Sequence, residues 1–191
     1  GSSAEVVRLK NQTGKIGELT RWTSLGGNWA NAGNTPYRKF KNYSHHGGIC
    51  TPLIAWWPDK IKKPGTITDY PGHFIDLMPT ILEISGASYP KTHDGNKVTP
   101  YEGESFLDIL KGKSKTREKP IFWDWWAGKA VMKGKWKLVS WKNDWELFDM
   151  EKDKTETNDL SEKYPAVVSE LKKLHAEWLK HCRKTKGIVE K

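Results

Sequence analysis

From Pro120 onward the chain changes period, and this change constrains its fold more than any other feature. Four short apolar runs follow one another: Ile121-Phe122-Trp123, Ala130-Val131-Met132, Trp136-Lys137-Leu138-Val139 and Trp145-Glu146-Leu147-Phe148. Gly128, Gly134 and a Lys142-Asn143-Asp144 turn separate them. Runs of this kind with so little chain between them predict an antiparallel meander of four strands, its Trp and Phe residues covered on one face. The period then changes again. Over residues 165–183, Val167, Val168, Leu171, Leu174, Trp178 and Leu179 recur at helical spacing with lysines opposite, and Pro165 suits the first helical position. One helix laid across a small antiparallel sheet buries both stripes.

The preceding part reads differently. Residues 49–57 hold Ile, Leu, Ile, Ala and two Trp in a short run closed by Pro58, which predicts a strand buried on both faces, as in a parallel α/β sheet. The segment FIDLMPTILEISG predicts a helix with Asp76 as N-cap, Pro79 in the first turn and Gly86 at its stop. Its wide apolar face of Leu77, Met78, Ile81, Leu82 and Ile84 predicts deep burial. Residues 105–110 predict a short helix ended at Gly112. Residues 22–29 read as loop, residues 4–9 as a short helix or strand, and residues 149–163 as a charged loop with a local turn at 158–161.

Composition narrows the partners. A formal net charge of +9 over 191 residues favours anionic ligands, but the lysines are scattered and no nucleic-acid-binding signature is present. Cys50 and Cys182 are the only cysteines, too few for a disulfide framework or a thiolate metal site, and both read as free thiols. No segment has the apolar length of a membrane span, so neither nucleic acid nor membrane is an expected partner.

The stretch NAGNTPYRKFKNYSHHGGICTPLIAWWP, residues 31–58, has the ingredients of an anion site. Arg38, Lys39 and Lys41 supply positive charge, Asn31 and Asn34 supply amides, and Gly47-Gly48 lets backbone approach closely.

These residues also resemble the later part of the formylglycine-dependent sulfatases of the alkaline-phosphatase-like superfamily, in which a similar NTPFR, Lys, HEGG, PLI and Trp-Pro series occurs. Further motifs follow in order. GHFIDLMPT from Gly72 is similar to the family's GHVIDLMPT, Gly103-Glu104-Ser105-Phe106 to its GxSL, and Gly134-Lys135-Trp136-Lys137-Leu138 to its GxWKL. Trp145-Glu146-Leu147-Phe148-Asp149 resembles its WELYD strand, and DKTETNDL from Asp153 resembles DxxExxDL.

The resemblance implies the fold class: the C-terminal part of an alkaline-phosphatase-like α/β sandwich plus a small four-stranded antiparallel sheet packed against a C-terminal helix. Residues 1–112 would be an incomplete large domain and 113–191 the small subdomain. It implies sulfate-ester hydrolysis of arylsulfatase type on a sulfated small molecule or sulfated glycan. The family's nucleophile motif, Cys-x-Pro/Ser-x-Arg, and its Ser-Asp-Asn-Gly metal motif are not in this sequence, and Gly1-Ser2-Ser3-Ala4-Glu5 would continue a preceding Asp-Asn. Calcium (Ca2+) is therefore expected in a full-length enzyme on ligands outside this chain, and the chain alone is expected to be inactive and poorly soluble. The resemblance implies a periplasmic, secreted or lysosome-like compartment.

Carried over residue by residue, the resemblance assigns Lys41 to the sulfate as the catalytic cation. Arg38 and Asn34 are assigned to substrate contact or loop support, and Trp125 to stacking on an aryl or sugar ring. His45-His46 stands where relatives have His-Glu, and Asp124-Trp125-Trp126-Ala127-Gly128 where many have EHEGN. Three other readings are open: an acidic-glycan-binding module, a phosphatase or phosphonate hydrolase of the same superfamily, and a nucleic-acid binder.

Overall fold

A computed structural model describes residues 26–185 together with 14, 15 and 18. The reading of residues 4–9, that of 22–25 and the suggested continuation at Gly1 lie outside the described residues. The elements are α1 (Gly26–Gly33), α2 (His46–Ile49), a single 3-10 turn (Phe74–Asp76) leading into α3 (Leu77–Ser85), and a two-residue ribbon of β1 (Thr92–His93) and β2 (Asn96–Lys97). Then come α4 (Leu107–Leu110), β3 (Ile121–Trp125), β4 (Gly128–Lys133), β5 (Trp136–Trp141), β6 (Asp144–Asp149) and α5 (Pro165–Thr185).

The four later strands form the expected antiparallel meander in the order β3-β4-β5-β6. Lys142 and Asn143, both at positive φ (55° and 76°), make the β5–β6 turn, a two-residue loop whose twist matches its strands. Alternation sorts the side chains onto two faces. Phe122, Val131, Leu138 and Leu147 lie in one row across the sheet. Val131, Leu138 and Leu147 are buried with Leu171 of α5, and Val167, Val168 and Leu174 pack around them. Phe122 stacks on Trp178 at 5.0 Å and 8°. The helix-across-sheet packing is thus as the periodicity predicts.

The other face is covered as well, which the sequence reading did not anticipate. Ala130, Val139, Phe148 and Met150 form a second buried cluster, flanked by Trp123 and Met132. Its cover is the segment 34–50, so the strands are sandwiched between α5 and the loop that bears Lys41.

Three expectations need correction. Residues 26–29 belong to helix α1, not to a loop. Residues 50–57 form no strand, and Leu53, Ile54 and Trp56 are exposed. A strand exists only through its ladder, and none of the described strands pairs with this segment. The helix α3 forms with Gly86 at φ 69° as its left-handed stop, but it is not deeply buried. Pro79 and Thr80 are covered, whereas Met78, Ile81 and Ile84 are exposed, because no described element lies over that face.

Candidate functional site

The Lys41 segment is a closed loop stitched by amides. The Asn34 side chain donates to the carbonyls of Lys39 (2.9 Å) and Gly47 (2.7 Å), and Asn31 Oδ1 accepts from the Lys39 N–H at 2.8 Å. Gly47 and Gly48 do not make a positive-φ turn; they lie in the helical turn α2. Glycine is needed there for closeness. A Cβ on Gly47 would sit 2.3 Å from the Arg38 carbonyl oxygen, and one on Gly48 2.1 Å from that of Tyr43.

The loop is then fastened to the sheet by a charged network. Arg38 pairs with Glu146 of β6 at 3.2 Å, donates to the backbone carbonyl of Glu156, and lies over the Phe148 ring at 5.9 Å. His45 Nε2 lies 2.7 Å from the other Glu146 oxygen. Burial pushes the His45 imidazole below its ordinary pKa, and the bond to Glu146 opposes that shift. Beneath them is a fully buried ion pair. Lys137, projecting from β5 between Met132 and Phe148, meets Glu156 Oε1 at 2.5 Å. Burial lowers the Lys137 pKa and Glu156 works against it. The second Glu156 oxygen accepts the His46 N–H at 2.8 Å. Burial and nearby Lys137 bring the His46 imidazole down to about 4, so it is neutral at physiological pH.

Segment 153–161 serves this pair. Asp153 accepts from the backbone N–H groups of Thr157 and Asn158, both at 2.8 Å, while Asp159 accepts from Leu147 and Ser161, both at 2.9 Å. The turn so fixed holds Glu156 at φ 58° and aims its carboxylate inward. A second buried node joins α3 to the sheet. Asp76 takes both ends of the Arg117 guanidinium (2.5 and 3.1 Å) and the N–H groups of His73 (2.8 Å) and Glu104 (2.9 Å). His73 caps the entry turn through Nδ1 to the Ile75 N–H. Its role here is at the helix entry.

The proposed site residues separate on this map. Arg38 and Asn34 are both engaged with protein partners within the loop and its sheet contacts. Lys41 is exposed at the tip, and its ammonium makes no hydrogen bond or ion pair with any described residue. Trp125 ends β3, 67% exposed. In its cross-strand row it is followed by Gly128 and Trp141, and Gly128 sits directly under Ser44, where a Cβ would come within 2.9 Å of Oγ. The Lys41 turn and the Trp125 hairpin tip are therefore neighbours, though 84 positions separate the two residues in sequence.

Sequence reasoning missed two networks: Lys137, Glu146 and Glu156 beneath the loop, and Asp76 with Arg117 at the entry to α3. One signal was available: in the alternation of β5, Lys137 falls on the same face as Val139 and Trp141, an inward position for a charge. Among the described residues, no group of three or more His, Cys, Asp or Glu side chains is gathered to hold a metal ion. The described residues do not fit a calcium site. No disulfide joins Cys50 to Cys182, as read from the sequence. No described helix is long and apolar enough to cross a membrane.

Comparison with known proteins finds relatives over most of the chain. The family described as N-sulphoglucosamine sulphohydrolase, C-terminal, matches residues 37–184. An uncharacterised sulfatase of Schizosaccharomyces pombe is 30% identical over 174 residues, covering 87% of this chain and 31% of the relative. N-acetylgalactosamine-6-sulfatase of Mus musculus is 32% identical over 122 residues, covering 60% of this chain and 21% of the relative. The chain thus spans at most about a third of these relatives' lengths. Among solved structures, Ps i-CgsB in complex with k-i-k-neocarrahexaose superposes with a TM-score of 0.63 at 21% identity, covering 75% of this chain and 32% of that one.

Proposed function

Because the chain belongs to the sulfatase family, we propose that it forms one wall of a site that hydrolyses a sulfate ester, with Lys41 as the cation facing the sulfate. The observation that carries this reading is the contrast within one loop. Asn34, Arg38, His45 and His46 are all committed to fixing the loop on the sheet, and Lys41 alone of the residues assigned from the family pattern projects with an unengaged charge.

An ammonium beside a departing alkoxide oxygen stabilises the charge that develops as the S–O bond breaks, and the anchored loop beneath Lys41 keeps its backbone in place as the reaction proceeds. Arg38 acts through the loop: pairing with Glu146 and the Glu156 carbonyl sets the angle at which Lys41 leaves the sheet. Asn34 closes the same loop. Trp125, exposed at the adjoining hairpin, is placed to border the substrate's ring. The nucleophile, formylglycine by family, and the calcium ligands belong to a part of the enzyme outside this chain, so the isolated chain should leave nitrophenyl sulfate intact.

The test is turnover of nitrophenyl sulfate by a full-length sulfatase carrying this chain. Lys41→Ala should lower kcat by about a hundredfold or more, while Lys39→Ala, whose ammonium lies over Tyr43, should have a much smaller effect. Near-unchanged turnover in the Lys41 variant would remove it from the chemistry.

A further inference from the structure

We propose that Tyr43, Trp141 and Trp126 form a binding corner for a pyranose ring of a sulfated oligosaccharide, beside the Lys41 turn. The claim deepens the sulfatase reading and rests on it for the role of Lys41, but the corner itself is defined by the rings. Tyr43 lies against Trp141 with centroids 4.2 Å apart and planes at 35°. Trp126 meets Trp141 edge-on, at 5.6 Å and 80°. Trp126 is 77% exposed, so its contact with Trp141 leaves most of the indole uncovered.

The rings are held rather than loose. The Lys142 N–H donates to the Ala127 carbonyl at 3.0 Å, closing the tip that carries Trp126 at φ 55°. On the other side, the Asn42 carbonyl and Ser44 backbone press onto Gly128, which fixes Tyr43 over the sheet. Close packing of the turn on a residue without a side chain brings loop and hairpin into one surface.

The chemistry fits a sugar. The apolar C–H face of a pyranose meets an aromatic face, while polar atoms at the ring edges reach water or hydroxyl and indole donors. Lys39 lies 5.2 Å above the Tyr43 ring, and Lys41 is two positions away along the turn, so the corner is flanked by charge suited to sulfate groups on neighbouring units. Single-stranded nucleic acid also uses rings and cations, but it needs successive open faces on which bases stack along a charged groove. Rings set at 80° instead make a corner for one saturated ring.

The experiment is calorimetric titration of the 191-residue chain with a heparin-derived tetrasaccharide, its chemically desulfated form, and an oligothymidylate of matched charge. The expected result is measurable binding of the sulfated tetrasaccharide, weakened about five- to tenfold by Trp126→Ala and largely restored in Trp126→Phe, with an unchanged unfolding midpoint in both. Unaltered affinity in Trp126→Ala would overturn the proposal, as would oligothymidylate binding that is tighter and equally dependent on Trp126, or no binding of the tetrasaccharide at all. The sulfatase reading fails separately: if Lys41→Ala leaves ester turnover intact while the Trp126 dependence of sugar binding persists, the corner stands and the catalytic assignment does not.

Discussion

A lysine with no solvent exposure is the residue on which the site depends. Lys137 and Glu156 are each fully buried and bonded at 2.5 Å, and the spare oxygen of Glu156 holds the His46 N–H. Removing one member of such a pair strands the other as an uncompensated charge, which typically costs about 3–5 kcal/mol. Lys137→Met should therefore destabilise the chain by about that amount in urea denaturation. Adding Glu156→Gln should recover much of the loss, because the amide is neutral and its oxygen still accepts from His46. If the double variant is as unstable as the single one, the stranded charge is not the cause. Such residues were hard to read from sequence. In the string WKLVSW, Lys137 looks like a surface lysine in a strand, and only its place in the alternation hints otherwise. Its partner is 19 positions away in a loop that reads as merely charged. Charge type is local in sequence, but pairing is not.

Elements whose stabilising contacts lie close in sequence were legible; those whose contacts are distant were not. The meander and α5 follow from period two and period 3.6, since each strand pairs with the next and the helix supplies its own stripe. Residues 50–57 misled, because an apolar run specifies burial without specifying a neighbour. The same distinction should appear in hydrogen exchange. β4 and β5, paired on both edges and covered on both faces, are expected to exchange slowest. Residues 50–72, with few bonds and exposed apolar side chains, are expected to exchange at close to the free-peptide rate. Protection of residues 50–57 comparable with β4 would show that the segment is paired in solution.

For the whole molecule, two surfaces compete. Leu53, Ile54, Trp56, Phe74, Met78 and Ile81 are all large apolar side chains left exposed, and exposed apolar area favours contact between copies. The formal net charge of +9 opposes contact between copies. Salt weakens the second effect and not the first, with screening lengths near 10 Å at about 0.1 M and near 3 Å at about 1 M. Light scattering should consequently show self-association that grows with sodium chloride. Replacing Ile54 and Trp56 by serine should reduce it while leaving the unfolding of the small sheet unchanged. Association that falls with salt would point to charge pairing between copies instead.

The tether of the Lys41 loop also sets an order in time. Its anchors on the sheet and the following turn, Glu146 and Glu156, lie 101 to 118 positions beyond the loop residues they hold. A chain made from its N-terminus on a ribosome exposes Lys41 long before either acid exists, and the meander must form before there is anything to tie the loop to. The Lys41 loop is thus among the last parts to take shape. A nascent chain halted short of Glu156 would carry every residue of the loop and still lack the grip that aims it.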